Sequence, residues 1–403
     1  MATAPEALGR YALSCDGSLV LPLLRGPCRA SSIGPLKMDE DFRAQLVRYF
    51  LTWLGPDAER TNPTYAVLTK LIARSDDLLE LAAEVPPPQL SANVLFASIH
   101  DLLLSGVEHP LANRYQSVVR LRGLTPAVFA ADDLERDFVA FASQFREQIA
   151  ALCRTGITQT NELARTAMIA AALGDLREEG ILDVGIVDAG CSAGLNCFPE
   201  LYRINHGDDT FSGPPTSSVV LNPKYLGRRP ATGLPKLSVR VGLDQHPLDP
   251  ANPLDARWLE ACLWPDDLLR FDRLAAGLAL AAANRSSLQL IEGDLVDDLE
   301  QAIAQVPADL HVFLVNGWST AYLPPHRRPA FAEVVDHIGH SRDLTWLSME
   351  GRGVARDLGV VASGWEPNEK GSTVLTVRRY RSQTATTTIL GESHPHGAWL
   401  NLS

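Results

Sequence analysis

Cysteines are few and unpaired in spacing: the six in this chain, Cys15, Cys28, Cys153, Cys191, Cys197 and Cys262, form no Cys-x-x-Cys pair. That scatter argues against a zinc site or a disulfide framework and fits a reducing cytosol. Basic residues are also in short supply, with 36 Lys and Arg against 48 Asp and Glu and a formal net charge of −12. Contacts to phosphates need clustered cations, so the expected partner is a small molecule, not a nucleic acid. Long apolar runs are missing too. The longest Ala- and Leu-rich run, Leu274 to Ala283, follows Arg270 and Arg273 and falls far below the roughly 20 residues of a membrane-spanning helix. The opening Met1-Ala2-Thr3-Ala4-Pro5-Glu6 has neither the basic region nor the apolar core of a secretory leader. These features lead us to expect a cytoplasmic protein without a membrane partner; they say nothing of its oligomeric state.

The 403 residues, 46% hydrophobic and 21% charged, have the length and composition of a globular chain with two domains or one large domain and an appendage. Residues 1–36, rich in Gly, Pro and Ser, read as an extension with one short apolar stretch, Ser18 to Leu24, of edge-strand character. Residues 37–178 read as an α-helical cap or substrate domain. Phe42, Leu46, Tyr49, Phe50 and Trp53 recur at helical spacing, as do Leu68, Leu71, Leu78 and Leu79, then Val94, Leu95, Ile99 and Leu102, with Pro86-Pro87-Pro88 as punctuation.

From 179 to 403 helical and strand periods alternate. This pattern predicts a doubly wound, mostly parallel Rossmann-like α/β sheet behind the α-helical N-terminal domain. Strands are expected at Gly185 to Ala189, Leu237 to Leu243, Leu288 to Glu292, His311 to Val315 and Leu344 to Met349. Helices are expected around Leu195 to Ile204, Trp258 to Ala282, Val296 to Ala304 and Pro329 to Ile338, and antiparallel strands close the chain. An inserted hairpin is expected at about 207–236, where Pro214-Pro215, Pro223 and Pro230 punctuate the sequence.

The stretch Asp188-Ala189-Gly190-Cys191-Ser192-Ala193-Gly194-Leu195-Asn196 reads as a strand end, a tight bend and a helix start. Glycines permit close backbone approach to a ligand, and the free amides of a helix start meet polar ligand atoms. Two enzymatic readings compete. As Asp188-x-Gly190-x-Ser192-x-Gly194 it resembles the first motif of class I S-adenosylmethionine-dependent methyltransferases. As Gly190-x-Ser192-x-Gly194 it matches the nucleophile elbow of a serine hydrolase using Ser192, with His394 or His396 as base. Against the hydrolase, the region before Gly180 is helical and has no His-Gly-Gly segment for an oxyanion donor. A non-catalytic ligand-binding relative of the methyltransferase fold is a third reading.

Ligands of doubly wound sheets sit beyond the carboxyl ends of the strands. On that rule Asp188, Gly190, Ser192, Gly194 and Asn196 are cofactor-binding candidates. Asp244 is placed for a ribose diol, Asp294 for an adenine amino group, and Asn316 and Trp318 where a methyl acceptor meets the sulfonium. Asn161, Glu162 and Arg165, at one-turn spacing before the sheet, are placed to line the pocket mouth; a capping and ion-pair cluster is the alternative. Candidate bases are His100, Glu162 and Tyr322, although a lone histidine on an apolar helix is more often a hydrogen-bonded core residue. No metal is required for methyl transfer. His394 and His396 alternate as strand neighbours do, but lack a third ligand beyond Glu392.

The whole-chain pattern also resembles the bacterial family designated domain of unknown function 2332, from about residue 39 to the C-terminus. The matching stretches are Asn93 to His100, Thr160-Asn161-Glu162 with Arg165, Asp188 to Asn196, Gly242 to Asp249, Trp258-Leu259 with Trp264-Pro265, and His394-Pro395-His396-Gly397. The resemblance implies a class I methyltransferase-like fold with a helical N-terminal part and S-adenosylmethionine as cofactor, but no particular methyl acceptor.

Overall fold

The computed structural model describes residues 38–86 and 92–403, together with the strand pair β1 (Ala12–Leu13) and β2 (Leu19–Val20). The rest of the expected 1–36 extension, Cys15, Cys28 and most of the Pro86-Pro87-Pro88 triplet lie outside the described residues. Two compact units divide the chain: Met1–Thr160 with Arg257–Asp272, and Asn161–Ala256 with Arg273–Ser403. The sequence pattern had put the division at 178/179. No helix among the described residues is long and apolar enough to cross a membrane.

The first unit is built on helices, including Glu40–Trp53, Pro63–Ala73, Ala92–Leu104, Ala131–Gln144 and Arg146–Thr155. Their apolar stripes meet in one core, with Phe50, Trp53, Tyr65, Phe96, Phe138 and Phe141 buried. Tyr65 stacks on Phe96 with ring centroids 4.1 Å apart, an aromatic pair worth about 1 kcal/mol beyond its buried area. The segment Arg257–Asp272 belongs to this unit because its own apolar residues, Ala261 and Phe271, are part of that core. The single helix expected from Trp258 to Ala282 is two, Pro253–Ala261 and Leu268–Ala283. The break falls at Trp264-Pro265, since a proline lacks the N–H that would continue the ladder.

The second unit is mixed α/β around a large, mostly parallel sheet. Its strands are β3 (Asp183–Ala189), β7 (Lys224–Tyr225), β8 (Lys236–Asp244), β9 (Gln289–Glu292), β10 (His311–Gly317), β11 (Leu344–Gly351), β12 (Thr373–Arg381), β13 (Thr384–Ser393) and β14 (Trp399–Leu402). They lie in the order β7-β14-β13-β12-β11-β10-β3-β8-β9. The run β9-β8-β3-β10-β11 is parallel throughout, and β12, β13 and β14 extend it as an antiparallel meander. A small second sheet comprises β4 (Arg203–Gly207), β5 (Thr210–Ser212) and β6 (Val220–Leu221).

The central strands read as unbroken apolar runs because both faces are covered. Val187, Val312, Leu314 and Trp346 are buried on one face, and Ile186, Phe313, Val315 and Leu347 are buried as their alternates. From β3 the chain moves outward to β8 and β9 on one side, then crosses to β10 and β11 on the other. The carboxyl ends of β3 and β10 therefore flank the point where the winding reverses, which is where such sheets leave a crevice.

The expected helix from Leu195 to Ile204 does not form. Two short 3-10 turns, Leu195–Cys197 and Pro199–Leu201, lead straight into β4. Pro199 explains this locally, because the residue before a proline is disfavoured in the α region, and Phe198 sits at φ −121°. At the start of the region 207–236, where a hairpin is expected, the chain turns between the antiparallel strands β4 and β5.

Candidate functional site

At the carboxyl end of β3 the chain turns through Gly190 (φ +89°), Ser192 (φ +53°) and Gly194 (φ +68°). Four of the bend's amides, those of Gly190, Cys191, Ser192 and Gly194, have partners within the protein. Gly190 and Cys191 donate to Leu243 O, at 2.7 and 3.2 Å, and Gly194 donates to Cys191 O at 2.8 Å. Ser192 N donates to Asp244 Oδ2 at 2.8 Å. The glycines also answer to neighbouring side chains. A Cβ on Gly190 would stand 2.1 Å from Ser319 Cβ, and one on Gly194 would stand 2.7 Å from Leu288 Cδ2. With no α-helix following, the bend also lacks the aligned amides of a helix start. The bend that the sequence reads as a cofactor cradle is thus held largely by contacts within the protein.

Several side chains of this edge are in the opposite condition. Asp188 Oδ2, Ser192 Oγ and Asn161 Oδ1 are buried without a hydrogen-bond partner, as are Ser348 Oγ and Glu350 Oε2 at the end of β11. Asn161 is anchored through its Nδ2, which donates to Cys191 O at 3.0 Å. Burial, helped by the charge of Asp244 and opposed by Arg165, pushes the Asp188 carboxyl up to about 7. Asp244 accepts from Ser192 N and, at 2.9 Å, from His246 N. Each of its oxygens keeps a second lone pair on a half-buried side chain.

Arg165 ties this edge together. Its Nε donates to Pro395 O at 2.9 Å and its Nη1 to Gly317 O at 3.2 Å, so the segment before the sheet, the end of β10 and the loop 394–397 converge. Glu162 is buried, with Oε1 taking Ala164 N and Arg273 Nη2 and Oε2 lying 3.7 Å from His396 Nδ1.

Other expected site residues make contacts within the protein. Asn316 is fully buried, giving Nδ2 to Glu350 Oε1 at 2.8 Å and taking Trp346 Nε1 at 2.7 Å. Glu350 Oε1 takes Thr320 N and Oγ1 as well, and burial raises its carboxyl above the ordinary range. Trp318, at φ +59°, donates Nε1 to Thr373 Oγ1. Asp294 is saturated by Val296 N, Asp297 N, Gln245 Nε2 and a two-pronged pair with Arg327, leaving no acceptor for an adenine. Asn196 accepts from Thr166 Oγ1.

Of the expected bases, Tyr322 stands 58% exposed. His100 is ruled out by its burial in the helical unit, where its Nδ1 meets Ala261 O and its Nε2 meets Ser117 Oγ. Desolvation lowers it to about 4, so it is neutral packing. The hydrolase reading lacks its base, because no described histidine hydrogen-bonds Ser192 Oγ.

Sequence reasoning missed Glu350, Ser319 and Arg273, and offered His396 only as a metal candidate or as the base of the hydrolase reading. Glu350 was findable by the rule that singled out Asp188, an acid closing an apolar strand. Among the described residues, no cluster of three or more His, Cys, Asp or Glu is arranged to hold a metal ion. A cavity of about 230 Å³ is lined by Trp365, Asn368, Glu392 and Asn401 and by none of the edge residues named above.

The family model described as "Uncharacterized protein conserved in bacteria (DUF2332)" matches residues 51–401, and the chain belongs to that family. No curated protein and no solved structure matches it.

Proposed function

We propose that the α/β unit is an S-adenosylmethionine-dependent methyltransferase of Rossmann-like, doubly wound type, acting on a small molecule. The observation that carries this reading is the set of buried, unpartnered oxygens at the reversal of winding, Asp188 Oδ2, Ser192 Oγ and Asn161 Oδ1, beside the half-open carboxylate of Asp244. Native proteins rarely leave such atoms unpaired, because each costs about 1–3 kcal/mol. Their chemistry suits a ligand rich in donors and positive charge, as a sulfonium nucleoside with an ammonium and a ribose diol is. The fit is through side chains and not through the bend amides: Asp244 takes the diol with its remaining lone pairs, and Asp188 and Asn161 take the cationic end.

When bound, the cofactor supplies a methyl group already activated by the positive sulfur. The chain has only to hold the acceptor in line, exclude water and accept a proton where the acceptor carries one. The closed amides of the bend favour, as a second reading, a relative that binds the nucleoside without turning it over.

Calorimetric titration of the full chain with S-adenosylmethionine and S-adenosylhomocysteine tests the proposal. Saturable 1:1 binding, weakened about tenfold or more by Asp244→Asn (about 1.4 kcal/mol), is expected. No heat and no thermal stabilisation with either compound overturns both readings, while binding without turnover on any acceptor leaves the second.

A further inference from the structure

The loop His394-Pro395-His396-Gly397 and the segment Asn161 to Arg165 belong to sequence motifs far apart in the chain. The fold presses one onto the other. Gly397, at φ +68°, lies so close to the turn at 163–165 that a Cβ there would meet Ala164 backbone carbon and oxygen at 2.6 Å. Arg165 Nε holds Pro395 O at 2.9 Å, and His396 N donates to His394 Nδ1 at 3.0 Å. The imidazole of His396 stands with Nδ1 3.7 Å from Glu162 Oε2, within ion-pair range but beyond hydrogen-bond reach. The Glu162 side chain is 2% exposed and that of His396 35%.

A buried carboxylate at that distance from one ring nitrogen, with part of the ring still open to solvent, acts on the imidazole through its charge, and an opposite charge within about 4–6 Å favours the charged form of a titratable group. Glu162 is itself immobilised by Ala164 N and Arg273. Through Arg165, the same loop is tied to Gly317 O at the end of β10. Glu162 and His394 face the His396 ring, Arg273 pairs with Glu162, and Arg165 holds the loop at Pro395 O.

We propose that His396, backed by Glu162, is the proton acceptor of the site, and that the methyl acceptor is a hydroxyl or thiol compound that must lose a proton on transfer. This rests on the methyl-transfer reading above. In the step, a lone pair of the acceptor oxygen or sulfur forms the bond to the methyl carbon, and the carbon–sulfur bond breaks with its electron pair left on a neutral thioether. The acceptor's proton passes to His396 Nε2 and from there to water. Glu162 is a positioning residue: it touches the imidazole, not the acceptor.

Two arms test this on the full chain. In the first, carbethoxylation of His396 by diethyl pyrocarbonate is followed by mass spectrometry across pH, without cofactor. Glu162→Gln is expected to move the pH at which His396 becomes reactive, and Glu162→Asp to move it less; an unchanged profile in Glu162→Gln overturns the pairing.

In the second arm, S-adenosylmethionine is titrated calorimetrically and methyl transfer is measured with catechol and 2-mercaptoethanol. His396→Gln is expected to keep cofactor affinity within about twofold while lowering transfer at neutral pH about 100-fold, as loss of a general base does, with partial recovery at high pH. Transfer equal to wild type in His396→Gln overturns the proposal, as does wild-type cofactor binding with no transfer to either acceptor. If the wild type binds no S-adenosylmethionine, the methyl-transfer reading falls and the reaction falls with it, but the carbethoxylation arm still decides whether the pair exists.

Discussion

In the helical unit, His100 gives both ring nitrogens to partners, Asp101 meets Arg257 through both oxygens, and Asp266 takes the amide and hydroxyl of Thr64. At the carboxyl edge of the large sheet, Asp188, Ser192, Asn161, Ser348 and Glu350 each keep a buried oxygen without a partner. The helical unit has a few such atoms too, the Tyr115 hydroxyl among them, but they are not gathered around the ends of neighbouring strands. The difference separates two uses of buried polarity. A closed pair specifies packing, whereas a concentration of open acceptors is stability given up where a ligand can recover it.

The sharpest way to break this comparison is at Gly190, where the bend is closed by the protein itself. Gly190→Ala places a Cβ 2.1 Å from Ser319 Cβ at φ +89°. Overpacking and backbone strain together should cost about 3–5 kcal/mol, read from urea unfolding midpoints. Ser319→Gly in the same chain should restore about half, since it removes the clash and leaves the strain. If Gly190→Ala folds with wild-type stability and loses only cofactor affinity, the glycine serves the ligand after all.

How much of this was legible beforehand depends on what each residue answers to. The parallel strands were readable because burial on both faces turns them into apolar runs with sharp ends, such as Val184 to Val187 closed by Asp188 and Gly190. The helix after the bend was misread because small residues at 190–194 suit a helix start, while the decisive Pro199 lies several positions on. The glycines were assigned to a ligand because sequence shows that space is needed and not what fills it; Ser319 and Leu288 are more than 90 residues away. Asp188 stood out in the sequence as an acid closing an apolar strand, whereas the Glu162–His396 pair depends on a contact between distant loops that no local pattern encodes.

The two regions should also respond to pH with opposite sign. His100 has a folded value of about 4 against about 6.5 unfolded. The unfolded chain therefore binds the extra proton between those values, and stability falls as pH drops from about 6.5 toward 4. Asp188 has a folded value of about 7 against about 3.9 unfolded. Here the folded chain holds the extra proton, so stability falls as pH rises from about 4 to 7. Each effect is on the order of 2–4 kcal/mol at its far end. His100→Gln should flatten the acid limb of a stability–pH curve at the cost of a lower plateau. Asp188→Asn should raise stability at pH 8 while weakening cofactor binding, and a destabilised Asp188→Asn at that pH would mean its open oxygen is not the liability described.

The smallest expected effect falls on Ser192, and it separates the readings most cleanly. Its hydroxyl has no partner, so Ser192→Ala removes an unsatisfied buried group and no hydrogen bond, and stability should move by less than about 0.5 kcal/mol. The backbone bond from Ser192 N to Asp244 survives the substitution, so the bend keeps its shape. A fluorophosphonate should leave the wild-type serine unlabelled, because activating a serine hydroxyl requires a base in contact with it and none is there. If phosphonate labelling occurs and vanishes in Ser192→Ala, a histidine reaches that hydroxyl in solution, and the edge of β3 belongs to an acyl-transfer enzyme.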